Sequence, residues 1–370
     1  MTKALQDSSI GAWAVQRMPC LGAACTTLFA PTRAPEGAYL DLLPGLTAVT
    51  LALLTVSGLV LAVYYNPWHA FASIGFIRRG VHQGWLVQAY HATGTSMIFG
   101  LIYLTLLRAM LTRAYRAPGE LVWLLGGKLY IILLLLGWLG FTLTGSLAGH
   151  VSLVVATSAA QALTSAPGAV ARWIFGGPAG PGTLMRLEVL HVVLGGGAII
   201  VLGLYGLARR AVRPPVEAGR GVAFFPYYAA QYGVALAVFG LIFTLFACFA
   251  PHAGQPALSA VPAAALASPA YVALPWYLAP LGAVADAVPG LGGGIIAVVA
   301  ALAVLLALPW LDRSNGGRKG WLYGALIWLL ALDVVGLGLA RPGWLADLLV
   351  FWFFFHFLVL TPVVTAMEAP

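Results

Sequence analysis

Charged side chains are scarce in this chain. Asp, Glu, Lys and Arg make up 8% of its 370 residues, whereas 61% of the residues are hydrophobic. So few charges cannot cover the surface of a water-soluble domain, and apolar stretches of about 20 residues recur along the sequence. The composition therefore excludes a soluble domain. It indicates an all-α polytopic membrane protein, because lipid offers no partner for an unpaired backbone amide.

Cysteine is almost absent. Cys20, Cys25 and Cys248 provide no disulfide framework, and we expect these thiols to be inert. The sequence contains no Cys-x-x-Cys-His motif, which argues against a covalently attached c-type haem. The first 40 residues carry no cleavable signal pattern, so we expect the first apolar span to direct membrane insertion.

Eight apolar stretches are predicted to be transmembrane helices. Their approximate bounds are 43–65, 90–111, 122–147, 184–208, 226–250, 292–310, 320–340 and 345–366. The polar segment Pro214–Gly221 predicts a division into a cytoplasmic N-terminal segment (1–40), a four-helix half (41–213) and a second four-span half (214–370). The outer loop between Pro251 and Pro289 is long enough to suggest a functional role.

The net charge of +8 comes from arginine and lysine residues that are concentrated in alternate loops. Such residues precede span one and follow spans two, four and six; examples are Arg17, Arg108, Arg113, Arg209 and Arg313. By the positive-inside rule, both termini are cytoplasmic in a bacterial-type inner membrane. This topology explains the charge without a nucleic-acid partner, and it directs the N-terminal ends of spans two and four outward.

Two histidines, His91 and His191, lie in spans two and four. Thr105 and Tyr205 follow them by 14 residues on the same helices. Because 14 residues advance a helix by about 21 Å in almost four complete turns, each pair shares one helix face at two membrane depths. Taken alone, a membrane histidine is more often a packing residue or a proton relay than a haem ligand.

A series of short motifs over positions 40–365 resembles cytochrome b, the haem-bearing core of respiratory and photosynthetic cytochrome bc complexes. The matching stretches are Tyr64–Pro67, Gly84–Leu86, His91–Ser96, Tyr103–Leu104, Trp123–Gly126, Trp173–Gly177, Thr183–Arg186, Phe225–Tyr228, Pro275–Tyr277, Pro289 with Gly292–Gly293, and Pro309–Ser314. No single stretch is decisive, but their order and spacing follow the family.

The resemblance implies that His91 and His191 are the two axial ligands of one outer-side haem b. It also implies that Gly94, Gly126 and Gly140 let the porphyrin approach the helix backbones. Close helix packing explains each of these glycines nearly as well.

Thr105 and Tyr205 stand where the family has two further histidines. Thr is not a plausible iron ligand, and a Tyr/Thr pair would make a poor low-spin electron carrier. We therefore expect no inner-side haem. Without it, electrons lack the family's intermediate carrier across the inner half of the membrane, so a bifurcated quinone cycle is not expected.

Both quinone sites of the family are altered. At the outer site, the family's Pro-Glu-Trp-Tyr becomes Leu-Pro-Trp-Tyr at 274–277, so the carboxylate that would accept a proton from quinol is missing. The candidate quinone-site residues are Pro275, Trp276, Tyr277, His150 and Asp286. Of these, His150 and Asp286 are candidate replacement bases, although each is better explained as a residue at the water interface. At the inner site, Arg210 and Gln231–Tyr232 replace the expected His and Lys-Asp, and Gln88 replaces an Arg beside a haem propionate.

Three further polar residues lie within apolar spans. Glu188 precedes His191 by three residues, and an unpaired membrane carboxylate is a functional candidate because it is costly to bury. Asp333 is expected to make a structural hydrogen bond, and His356 to serve packing or a partner contact.

Three functions follow from these observations. The chain could be a single-haem electron-transfer subunit that joins quinone to an iron–sulfur protein or a c-type cytochrome. It could instead be a scaffold in a homo- or hetero-dimer with a complete cytochrome b. The third alternative is a quinone-reactive membrane anchor for an extracytoplasmic dehydrogenase. An absorbance spectrum distinguishes carrier from scaffold, and co-purified partners distinguish carrier from anchor.

Overall fold

The computed structural model describes residues 39–162, 166–212, 223–263, 272–314 and 320–368. Cys20, Cys25 and the Pro214–Gly221 segment lie outside the described residues. Within the described ranges the secondary structure is helical, with no β-strand and one isolated bridge between Ser146 and Pro262. The predicted all-α fold is confirmed.

Fourteen α-helices are described. Those before residue 213 are α1 (Leu43–Ala62), α2 (Ala70–Gly80), α3 (Gly84–Leu111), α4 (Glu120–Leu143), α5 (Leu147–Ala162), α6 (Ala166–Phe175) and α7 (Pro181–Ala211). Those that follow are α8 (Ala229–Phe249), α9 (Ala279–Asp286), α10 (Leu291–Leu306), α11 (Leu308–Leu311), α12 (Trp321–Leu339), α13 (Trp344–Phe355) and α14 (Thr361–Met367). The π-helical turn His356–Leu360 joins α13 to α14, and a second one, Phe224–Tyr228, precedes α8.

Seven of the eight predicted spans correspond to helical segments that are long and apolar enough to cross a membrane. The span predicted over 292–310 is the exception. Its α10 ends at Leu306 and α11 begins at Leu308, with Pro309 in the first turn of the new helix. Proline lacks the backbone N–H that a continuous helix would need there. Another difference is that α3 begins at Gly84, before the predicted start at 90.

One hydrophobic cluster joins the two predicted halves. It includes Phe99 of α3, Leu133 of α4, Tyr277, Ile327 of α12 and Phe357. The segment Pro275–Tyr277 is therefore packed against the helices of the first half. The division of the chain near residue 213 stays a prediction.

Ion pairs gather several arginines at one end of the molecule, called here the arginine-rich end. Asp41 pairs with Arg108 and Arg209, and Arg113 pairs with Glu368. The start of α1 and the end of α14 therefore lie at the same end, as the even number of predicted crossings requires. That this end is cytoplasmic stays a prediction from the charge distribution.

Candidate cofactor site

His91 of α3 and His191 of α7 face each other inside the bundle. Their ring centroids are 6.5 Å apart, and the ring planes are inclined at 64°. Two imidazoles that bind one metal ion from opposite sides, each through a bond of about 2 Å, have ring centres about 6 Å apart. The pair therefore fits one metal ion between its rings. We call this depth of the bundle the histidine level.

Ser57 of α1 fixes the orientation of the His91 ring. Its Oγ lies 3.0 Å from His91 Nδ1 and also donates a hydrogen bond of 2.7 Å to the Leu53 carbonyl. Because the single hydroxyl hydrogen is used for Leu53, the serine oxygen accepts from an Nδ1–H of His91. The lone pair of the imidazole is then on Nε2, the atom left for a metal ion.

Glycines give both imidazoles room beside the backbone. A Cβ at Gly58 would lie 2.8 Å from His91 Cε1, and a Cβ at Gly140 would lie 3.3 Å from His191 Cε1. The Nδ1 atom of His191 is buried and has no hydrogen-bond partner among the described residues.

The other two predicted glycines lie elsewhere. A Cβ at Gly94 would lie 2.9 Å from Leu54 and 3.2 Å from Phe243, so this glycine lets three helices pack closely. A Cβ at Gly126 would lie 3.5 Å from the ring of Tyr205. The structure therefore brings Gly140 to the histidine pair, whereas Gly126 lies with Tyr205.

Thr105, Tyr205 and Gly126 surround a small cavity at a second depth, called here the threonine–tyrosine level. Its volume is about 20 Å³, room for roughly one water molecule. The other lining residues are Pro44, Thr47, Ile102, Leu106, Leu129 and Leu202. The Thr105 hydroxyl donates to the Leu101 carbonyl of its own helix at 2.7 Å. No pair of facing imidazoles exists at this level.

A carboxylate closes the bundle at the arginine-rich end. Asp41 Oδ1 lies 2.5 Å from Arg108 Nη2 and 3.1 Å from Arg209 Nη2, which ties the start of α1 to α3 and α7. Sequence reasoning missed both Asp41 and Ser57. No sequence spacing signals either contact, because each joins residues at least 34 positions apart.

The Pro275–Tyr277 segment is buried against α3, the helix that carries His91. The ring of Tyr277 stacks on Phe99 with centroids 4.3 Å apart, and Trp276 Nε1 donates to Ser96 Oγ at 3.1 Å. Burial raises the pKa of Tyr277, so its hydroxyl stays protonated and is available as a hydrogen-bond donor. The Tyr103 hydroxyl also donates to the Tyr277 carbonyl at 3.3 Å, so the segment lies along α3 between the histidine level and the depth of Thr105.

The candidate bases are not brought to this segment. No hydrogen bond among the described residues joins the side chain of His150, on α5, or of Asp286, at the end of α9, to Trp276 or Tyr277. Burial raises the pKa of Asp286. Glu188 is half-buried. The pKa of Tyr65 is raised mainly by the burial of Tyr65 itself and secondly by the negative charge of Glu188.

Asp333 and His356 are buried without partners. Neither carboxylate oxygen of Asp333 and neither ring nitrogen of His356 makes a hydrogen bond to a described residue. The prediction that Asp333 makes a structural hydrogen bond is therefore wrong. His356 is fully buried beside Phe357, as a packing residue would be.

Known proteins resemble this chain over most of its length. The family described as cytochrome b/b6/petB matches residues 38–208, and the family described as cytochrome b(C-terminal)/b6/petD matches residues 262–360. Cytochrome b of Rickettsia bellii is 30% identical over 352 residues, which cover 90% of this chain and 88% of that protein. Cytochrome b of Rhodospirillum rubrum is 28% identical, with coverage of 97% and 93%.

A solved structure shares the fold. A chain of a hyperthermophilic respiratory complex III superposes with a TM-score of 0.84 at 26% identity, covering 96% of this chain and 99% of that chain. Sequence and structure agree on one family, and the apolar helices agree with its location in a membrane. The chain is a member of the cytochrome b family of membrane-embedded, haem-binding electron-transfer proteins.

Proposed function

We propose that this chain is a single-haem cytochrome b. In this role it passes electrons between quinone or quinol and partner redox subunits without a complete quinone cycle. The observation that carries the proposal is the contrast between the two levels: facing imidazoles 6.5 Å apart at one, and a threonine, a tyrosine and a small cavity at the other. One haem b per chain follows from this contrast.

His91 and His191 would hold the haem iron as axial ligands. When bound, the haem supplies reversible one-electron transfer, and a pair of neutral imidazoles suits such a low-spin carrier. Ser57 keeps Nε2 of His91 available by accepting a hydrogen bond from Nδ1–H. Gly58 and Gly140 leave room for the two rings beside α1 and α4.

Quinone is expected at the Pro275–Tyr277 segment, next to α3. Trp276 and Tyr277 are fixed there by Ser96 and Phe99, which supports a preformed wall for a quinone ring. The segment lacks the expected carboxylate, because Pro275 stands where the family motif Pro-Glu-Trp-Tyr has its glutamate. Quinol oxidation needs a proton acceptor, so His150 and Asp286 remain candidates that would have to approach the segment.

The partners that suit this role are redox proteins at the outer surface, such as an iron–sulfur protein, a c-type cytochrome or a dehydrogenase. The solved relative belongs to a respiratory complex III, which supports an assembly with other subunits. A homo- or hetero-dimer with a cytochrome b is part of the proposal. The positive-inside distribution supports a bacterial-type cytoplasmic membrane with both termini cytoplasmic.

Haem counting tests the proposal. We expect the purified chain to contain one haem b by pyridine haemochrome and protein quantitation, with one low-spin reduced band. A ratio near two would contradict the proposal, and a ratio near zero would favour the scaffold. With quinol as donor, we expect no antimycin-type inhibition of haem reduction, since that behaviour requires two b haems in series.

A further inference from the structure

The second half of the molecule contains two deeply buried titratable side chains that the proposed haem chemistry does not use. Asp333 of α12 is 5% exposed and His356, after α13, is 0% exposed. Their four polar side-chain atoms have no hydrogen-bond partner among the described residues, and neither group belongs to an ion pair there. Burial of such groups is costly, and in a membrane protein it is a mark of function.

The two groups occupy neighbouring levels of adjacent, antiparallel helices. A Cβ at Gly336 of α12 would lie 3.2 Å from Leu349 of α13, which sets the register between the helices. In that register His356 lies opposite residue 329, and the four residues from 329 to Asp333 correspond to about 6 Å along the axis. Phe357 packs with Ile327 and Leu330 in the central cluster, so the His356 segment faces the buried side of α12.

Two threonine hydroxyls continue from His356 towards the arginine-rich end. We call the series Asp333, His356, Thr361 and Thr365 the polar line. His356 opens the π-helical turn, and Thr361 Oγ1 donates to the His356 carbonyl at 2.9 Å. Thr365 Oγ1 donates to the Thr361 carbonyl at 2.7 Å and accepts from the backbone N–H of Arg313 at 2.9 Å. Both threonines are fully buried. Isolated π turns in helical segments are frequent at functional sites.

The line ends in a buried ionic cluster. Arg113 pairs with Glu368 at 2.9 Å and donates to Ser314 Oγ at 2.9 Å, while the Tyr115 hydroxyl donates to Asp312 at 2.7 Å. Burial works to raise the pKa of Asp312, but hydrogen bonds from Ser314 and Tyr115 and the Arg113 charge lower it overall. Its carboxylate therefore stays ionised at neutral pH and can exchange protons with water at the membrane surface.

The opposite end of the line lies beneath the Pro275–Tyr277 segment. A Cβ at Gly338 of α12 would lie 3.6 Å from Pro280 and 3.9 Å from the Trp276 carbonyl oxygen. Asp333 is five residues from Gly338, or about 7 Å along the helix, in the direction of the arginine-rich end. The buried carboxyl is thus between the candidate quinone segment and the histidine.

We propose that Asp333 and His356 form a water-bridged proton relay between the Pro275–Tyr277 segment and the arginine-rich end. The Asp333 carboxyl releases a proton through water to one ring nitrogen of neutral His356, and the other ring nitrogen releases a proton towards Thr361, Thr365 and the Asp312 cluster. No electron moves in these steps, and the charge of each group is restored when the next proton arrives. The relay's link to quinone rests on the proposed function.

Hydrogen–deuterium exchange at the Asp333 carboxyl tests the relay in the intact protein. An unpartnered buried carboxyl is best accommodated as the neutral acid, so the infrared C=O stretch of its COOH form should be visible. We expect this band to disappear in Asp333→Asn and to remain in Asp347→Asn, a change at an exposed carboxylate of α13. In the wild type, D₂O should shift the band within the mixing time.

The His356→Phe and His356→Gln variants should slow this exchange at least ten-fold, and Thr361→Val should slow it less. His252→Phe, an exposed control outside the line, should leave the rate unchanged. Variants are compared after their haem spectrum and thermal unfolding show an intact fold. The relay is overturned if Asp333→Asn removes no COOH band, or if both His356 variants exchange as fast as the wild type. Since exchange requires neither haem turnover nor quinone, a failed haem count would be a separate result.

Discussion

The histidine level and the threonine–tyrosine level of the bundle are built by the same four helices, yet they have different chemistry. Each helix contributes a residue to each level, 14 positions apart. The pairs, histidine level first, are Gly58 and Pro44, His91 and Thr105, Gly140 and Gly126, and His191 and Tyr205. Since 14 residues repeat a helix face after about 21 Å, the backbone offers two equivalent sets of positions. Side chains alone give one level a pair of facing imidazoles.

The comparison also shows how the level without histidines is stabilised. The Thr105 hydroxyl is satisfied within α3, and the Tyr205 ring packs over Gly126. Below them, Asp41 holds Arg108 and Arg209 together. Side-chain packing and one shared carboxylate thus hold the helices together at this level, the role that a bound cofactor would have at the other level. The shared fold does not by itself specify the number of cofactors, which is why function has to be argued from the site.

The largest effect is expected when one of the two proposed haem ligands is removed. We expect His191→Ala to lose essentially all haem, because one imidazole leaves the opposite axial position unfilled. The measurement is the haem-to-protein ratio after purification. Thr105→Ala, the matched change at the other level, should keep one haem. Full haem content in His191→Ala would show that the ligand lies elsewhere.

A smaller effect on haem binding is expected at Ser57, whose hydroxyl oxygen accepts a hydrogen bond from Nδ1–H of His91. Loss of such a supporting hydrogen bond typically weakens metal binding by about 10- to 100-fold, so Ser57→Ala should release haem faster to a scavenging apoprotein. Thr55→Ala on the same helix is the control, because the Thr55 hydroxyl donates only to the Leu51 carbonyl. Equal release rates for the two variants would argue against the assigned role of Ser57.

Sequence reasoning found the helices because apolar runs are local patterns, whereas the pairing of His91 with His191 came from the resemblance to cytochrome b. Apolar runs identify spans, and a shared helix face relates His91 to Thr105. The same 14-residue rule would have related Gly126 to the level without histidines, since it is 14 residues from Gly140. Ser57 and Asp41 could not be predicted, because their partners come from distant helices. For Asp333 the sequence predicted a hydrogen bond, but both of its carboxylate oxygens are buried without a hydrogen-bond partner among the described residues.

Acid should distinguish the arginine-rich end from the histidine level. The pKa of Asp312 is lowered in the folded protein, so its contribution to stability is fully present above the ordinary aspartate pKa of 3.8 and is lost as the pH falls through the folded pKa. We expect the thermal unfolding temperature in detergent to fall by about 2 °C or more below about pH 4. Asp312→Asn should flatten this dependence, whereas the exposed Asp347→Asn should not. A wild-type profile that is level through this range would contradict the assignment.

The smallest change is expected from an attempt to convert the threonine–tyrosine level into a second histidine level. Thr105→His with Tyr205→His puts imidazoles at positions equivalent to His91 and His191, but the cavity between them is about 20 Å³ and is lined by Leu106, Leu129 and Leu202. Close-packed interiors resist added volume, and overpacking costs about 1–3 kcal/mol. We therefore expect the double variant, like each single variant, to keep one haem and to unfold at a lower temperature. A second low-spin haem in the double variant would contradict this expectation. It would show that two histidine ligands are sufficient for haem binding at the threonine–tyrosine level.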